Sequence, residues 1–136
     1  MRHALVLTAA LVLTGVGVPA FAEQGPNGGQ MEDVAGVDAE LLVSGNTLTL
    51  NVFIDDSCKK TCEPIPTKGY TGAVLIVSGS NRETITLAPS GESSMKGDAK
   101  NPITAGAAIT LTLKTAAGKT GQARRPSEFR CYAWWS

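Results

Sequence analysis

From Val37 onward, apolar and polar residues trade places at short intervals, and turn residues cut the exchange into bursts. The clearest burst runs from Thr47 to Ile54. Leu48, Leu50, Val52 and Ile54 fall on one side of it, and Thr47, Thr49, Asn51 and Phe53 on the other. Successive side chains of an extended chain face opposite ways, so this spacing predicts a strand with one buried face. Val37 to Val43 is a second candidate, joined to the first through Ser44-Gly45-Asn46. Ala73 to Ser78 is almost wholly apolar and suits a central strand. Glu83 to Ala88 alternates through Ile85 and Leu87, and a brief strand is expected around Met95. Ile109, Leu111 and Leu113 then alternate with Thr110, Thr112 and Lys114, and Ala116-Ala117-Gly118-Lys119 turns the chain into Thr120 to Arg124. Threonine and valine favour such a pleated, half-buried setting. No amphipathic helix is apparent beyond residue 22.

This pattern predicts an all-β domain, a small antiparallel β-sandwich of about seven short strands. An immunoglobulin-like arrangement is one form of it, and a small barrel is the alternative. Asp38, Glu40 and Glu83 alternate with apolar neighbours and are expected on solvated faces.

The amino-terminal segment obeys a different rule. Met1-Arg2-His3 is basic, Ala4 to Val18 is apolar, and Pro19 precedes Ala20-Phe21-Ala22. Charge, apolar run and A-x-A in that order make a secretory signal, with cleavage expected after Ala22. The run is about 15 residues, short of the roughly 20 that span a bilayer. The organisation predicted is therefore a signal peptide over 1–22, a flexible glycine-rich leader over 23–35, a β-sandwich over 36–124 and an irregular tail over 125–136. A periplasmic location follows, with no membrane span after cleavage.

Composition narrows the chemistry. Lysine plus arginine and aspartate plus glutamate number 12 each, and the single histidine is His3, inside the signal. The mature chain thus has no imidazole for general base work, proton transfer or metal ligation. Without a basic cluster it also lacks the phosphate contacts on which nucleic-acid binding rests.

Several segments from Gly28 to Arg124 together resemble a family. They include Gly28-Gly29-Gln30-Met31, Val37-Asp38-Ala39-Glu40-Leu41-Leu42-Val43, Asn46-Thr47-Leu48-Thr49-Leu50, Glu83-Thr84-Ile85-Thr86-Leu87-Ala88-Pro89 and Gly121-Gln122-Ala123-Arg124. The wording is similar to small, uncharacterised periplasmic β-proteins of Gram-negative bacteria, some associated with heavy-metal efflux systems. The resemblance implies a metal-handling role in the envelope. Where those proteins read H-G-G and D-H, this chain has Asn27-Gly28-Gly29 and Asp55-Asp56, so the imidazoles are missing here.

Cys58 and Cys62 form C-x-x-x-C after the Thr47–Ile54 strand. In an oxidising compartment a pair so spaced reads first as a structural disulfide. Its other readings are thiolate capture of Cu(I) and thiol–disulfide exchange, since adjacent lysines lower a thiol pKa and soft sulfur suits Cu(I). The segment is also similar to the C-x-x-x-C-P loop of Sco-type copper-delivery proteins, with Glu63 intervening before Pro64. Met31 or Met95 would supply a third, thioether ligand, although Met95 reads first as a filler of the core. Asp55 and Asp56, with Glu63 nearby, offer oxygens to a hard cation such as Ca²⁺. Cys131 is the odd thiol, and Cys131, Tyr132, Trp134 and Trp135 make the tail a candidate interaction segment. The function these features point to is a non-enzymatic periplasmic accessory or binding protein, linked to copper or other heavy metals and to an envelope protein partner. The alternatives are a thiol–disulfide exchange protein and a structural protein-interaction domain.

Overall fold

A computed structural model describes residues 24–126. The expected signal peptide lies outside the described residues, as do Cys131, Tyr132, Trp134 and Trp135 of the tail. The described chain is all-β. Its strands are β1 (Gln30–Val34), β2 (Val37–Ser44), β3 (Thr47–Ile54), β4 (Thr71–Ser78), β5 (Asn81–Pro89), β6 (Ser94–Asp98), β7 (Ala108–Lys114) and β8 (Thr120–Pro126). All neighbours pair antiparallel, in the order β1-β2-β3-β6-β5-β4-β7-β8. β4, β5 and β6 follow one another as hairpins, with β3 lying beside β6 and β7 beside β4. Those two crossings are Greek-key connections.

The sheet has two halves, β1-β2-β3-β6 and β5-β4-β7-β8. They are joined on one side by a short β5–β6 ladder that pairs Ala88 with Lys96 and Pro89 with Met95. On the other side β1 and β8 approach one another, so the sheet is nearly closed around a single core. The alternation read from the sequence supplies that core. Leu48, Leu50 and Val52 of β3 meet Val74, Ile76, Ile85, Leu87, Ile109, Leu111 and Leu113 from the other half, and Met95 fills the junction with no exposed surface.

Three expectations over this region are corrected. Among the described residues there are eight strands, because the expected flexible leader contains β1. Residues 30–34 read QMEDV, with no strict alternation, yet they pair along β2 from Gln30↔Leu41 to Val34↔Val37. The connecting turn is Ala35-Gly36, with φ of 54° and 76°. Two successive positive φ values are what a two-residue hairpin matched to strand twist requires. The expected irregular tail begins inside β8, since Arg125 and Pro126 still pair with β7. Finally, Ile54 sits at the rim and is 45% exposed, whereas Phe53, on the outer face, is buried.

The seam between β1 and β8 is held at two places. At one end the backbones nearly touch: a Cβ built on Gly121 would lie 2.4 Å from the Ala35 nitrogen. At the other, the Arg125 guanidinium donates to Gln30 Oε1 (2.7 Å) and the Met31 carbonyl (2.6 Å), and forms an ion pair with Glu32. Burial lowers the pKa of Arg125 from its ordinary value. Arg125→Ala should cost about 1–3 kcal/mol, because it strands a partly buried carboxylate and two acceptors. Hydrogen exchange should then accelerate in β1 far more than in β4, and equal acceleration in both strands would assign Arg125 no special place in the seam.

Candidate functional site

Three neighbouring strands deliver acidic residues to one rim. The two-residue turn after β1 places Asp33 opposite Asp38, and the β2–β3 register places Val37 opposite Ile54. Asp55, the first residue beyond β3, therefore arrives beside them. One carboxylate oxygen from each of Asp33, Asp38 and Asp55 lies within 4.8 Å of the others. Asp33 and Asp55 are exposed and Asp38 is half-buried.

Like charges placed directly across a sheet repel, and Asp38 records this. Its pKa is raised from the ordinary 3.8, first by burial, then by the charges of Asp55 and Asp33, with a smaller contribution from Asp56. A hydrogen bond from the Asp56 backbone acts in the opposite direction. Oxygens bound to one Ca²⁺ at 2.3–2.6 Å lie at most about 5 Å apart, so the spread of this triad fits a single hard cation. All three donors are carboxylates, which suit Ca²⁺, Mg²⁺ or Mn²⁺ and not Cu(I).

Proximity in the sequence groups Asp55 with Asp56 and Glu63. Asp56 instead takes a left-handed backbone (φ 58°) and pairs with Lys59 at 2.9 Å. Both side chains of that pair are well exposed, where ion pairs contribute little. Glu63 serves the loop through its backbone: its N–H donates to Ser57 Oγ (3.0 Å), and its carbonyl accepts from Ile54 (2.8 Å). Asp33 was missed, although the segment Asp33-Val34-Ala35-Gly36-Val37-Asp38 carries a signal. It reads the same from either side of a two-residue turn, as a hairpin with Val–Val and Asp–Asp cross-strand pairs must.

Cys58 and Cys62 are joined by a disulfide. Their loop opens with a single 3-10 turn at Ser57–Lys59 and returns along the outer half of β3, where Phe53 pairs with Pro64 and Ile65 donates to the Val52 carbonyl. While bonded, neither sulfur offers a thiolate. The proposed third ligands also stand apart from one another. Met95 pairs with Leu50 and belongs to the core, whereas Met31 is buried on the opposite face of the sheet wall, across from Glu40. Met95 cannot reach the cysteine loop without leaving the core. An open hollow of about 600 Å³ does adjoin the disulfide, lined by Gln24, Gly25, Pro26, Phe53, Lys60 and Thr61 along with the two cysteines.

Glu40 was expected in solvent and is fully buried. The glycine-rich segment before β1 folds over it. Asn27 donates to it twice, from its backbone and from Nδ2, each at 2.8 Å. Gly29 N donates at 3.0 Å and Asn51 Nδ2 at 3.3 Å. Alternation placed Glu40 on the outward face correctly but could not show that a second layer of chain covers that face.

No protein-family model, curated protein or solved structure matches the chain.

The raised Asp38 pKa has a definite sign. The folded state keeps this carboxyl protonated to higher pH than the unfolded state does, so its contribution to stability falls as pH rises. The penalty is absent below the unfolded value of 3.8 and complete above the higher folded value. Asp38→Asn should therefore raise the melting temperature at neutral pH by a few degrees. The gain should vanish in melts carried out below pH 3.8; a gain that persists there would assign the effect to packing.

Proposed function

We propose that this chain is a non-enzymatic accessory or binding protein of the bacterial cell envelope that handles metal ions at the rim formed by β1, β2 and β3. The observation that carries the reading is the convergence of Asp33, Asp38 and Asp55 from three adjacent strands. Burial first, and then the charges of Asp55 and Asp33, raise the cost of ionising Asp38, and a bound cation would offset the repulsion. An apolar interior filled by aliphatic side chains favours a role at the surface over one in a central cavity. Two features support export: the amino-terminal segment has the order of a secretory signal, and a disulfide suits an oxidising compartment. Among the described residues no helix is long and apolar enough to cross a membrane.

The resemblance to efflux-associated periplasmic proteins implied a heavy metal, and the C-x-x-x-C loop added copper. The donors now point to a hard cation at the carboxylates, with Cu(I) capture by Cys58 and Cys62 confined to the reduced protein. Three partly exposed carboxylates should bind Ca²⁺ with a Kd of about 0.1–1 mM, the range of extracellular calcium modules. Calorimetric titration of the oxidised protein with Ca²⁺ should show one site, and saturating Ca²⁺ should raise the melting temperature. Both effects should disappear in Asp33→Asn with Asp55→Asn. Equal heats from wild type and the double variant would end the proposal, and binding seen only with Cu(I) after reduction would move the site to the cysteines.

A further inference from the structure

Asn27 is the only asparagine in the sequence that is followed by glycine. It lies at the point where the amino-terminal turn is fastened to the sheet. The turn runs from Gln24, which bridges to Gln30, through Gly25, whose N–H donates to the Gly29 carbonyl at 2.8 Å. It closes on Glu40, and the fit is tight. A Cβ on Gly25 would lie 2.4 Å from the Glu40 carboxylate, and one on Gly29 2.8 Å from its Cγ. Glu40 has no exposed surface, so its hydrogen-bond donors cannot be replaced by water while the turn stays shut. Two of its four bonds come from Asn27.

Asn27 itself is exposed, and Gly28 has no side chain to hinder its own amide. We propose that Asn27 is a site of spontaneous deamidation, and that its conversion irreversibly unlatches the amino-terminal turn from Glu40. In the first step the Gly28 amide nitrogen gives up its proton and attacks the Asn27 side-chain carbonyl carbon. The new C–N bond closes a succinimide, the bond to Nδ2 breaks, and ammonia leaves. Water then opens the ring at either carbonyl, leaving aspartate or isoaspartate at position 27. No oxidant or second protein is required.

The closed turn restrains this reaction. Gly28 N–H donates to the Gly25 carbonyl (3.1 Å), and Nδ2 is held on Glu40 Oε2 (2.8 Å). Cyclisation therefore proceeds from the open turn, and its rate reports how often the latch opens. Once it has occurred, the latch cannot close as before. A carboxylate oxygen stands where Nδ2 donated, facing the buried Glu40 carboxylate, and like charges in a desolvated site repel. Release of Gly25 and Pro26 also removes one wall of the hollow beside Cys58 and Cys62.

The test ages the purified protein in mildly alkaline buffer and maps its peptides. The peptide containing Gln24 to Gln30 should gain the mass of an amide-to-acid exchange faster than any other. Backbone amides of the turn should then exchange at least about tenfold faster, as expected from losing a charged hydrogen bond to a buried acceptor. Asn27→Asp should reproduce that loss of protection without ageing. Adding Glu40→Gln to Asn27→Asp should restore protection, because donor and acceptor are then swapped between the two positions. Turn protection unchanged in Asn27→Asp would overturn the proposal, as would an aged protein whose first modified residue lies elsewhere.

Discussion

A sheet that curls back on itself leaves one seam, and the folded arrangement of this chain depends on how that seam is held. β1 and β8 are the two ends of the strand order, and no ladder pairs them. Close backbone approach at Gly121 and Ala35 holds one end, and the three-way grip of Arg125 on Gln30, Met31 and Glu32 holds the other. Both polar features of interest follow from β1 being in place. Asp33 reaches Asp38 only as the cross-strand neighbour of a docked β1, and the turn over Glu40 is the segment that leads into it.

Glu40 and Asp38 show how position decides what a carboxylate does. They lie two residues apart on β2 and point to the same outer face. Glu40 is sealed from solvent and surrounded by N–H donors, which satisfy its oxygens. Asp38 is half-buried among other carboxylates, with a single backbone donor from Asp56 in its favour. The first group fastens structure together. The second sits among like charges that oppose its ionisation, which is why the proposed metal binding is put at the rim and not at the covered face.

The strands that carry the core were legible because their apolar residues alternate without interruption. Leu48-Thr49-Leu50-Asn51-Val52 and Ile109-Thr110-Leu111-Thr112-Leu113 admit no other reading, and both bury the expected face. β1 was illegible for the converse reason. Only Met31 and Val34 in it are apolar, they face opposite sides of the sheet, and pairing with β2 supplies what local preference does not. Arg125 falls in the expected tail, since nothing in the residues around it announces a partner more than ninety positions earlier in the chain. The cysteine loop follows β3 as its spacing in the sequence implies, and Cys58 and Cys62 are bonded to one another as expected of a disulfide. Residue type offers both Met31 and Met95 as thioether partners, and Met95 takes the other place expected for it, in the core.

The seam joins the first described strand to the last, and this has a temporal side. A polypeptide that emerges amino end first offers β1 and β2 long before β8 exists. Throughout that interval the outer edge of β1 has unpaired backbone groups, the usual template for joining a foreign strand. Gln30, Glu32 and Asp33 place polar or acidic side chains along this stretch. The residues that later meet Arg125 thus also shield the nascent edge against promiscuous pairing, until the final hairpin arrives to cover it.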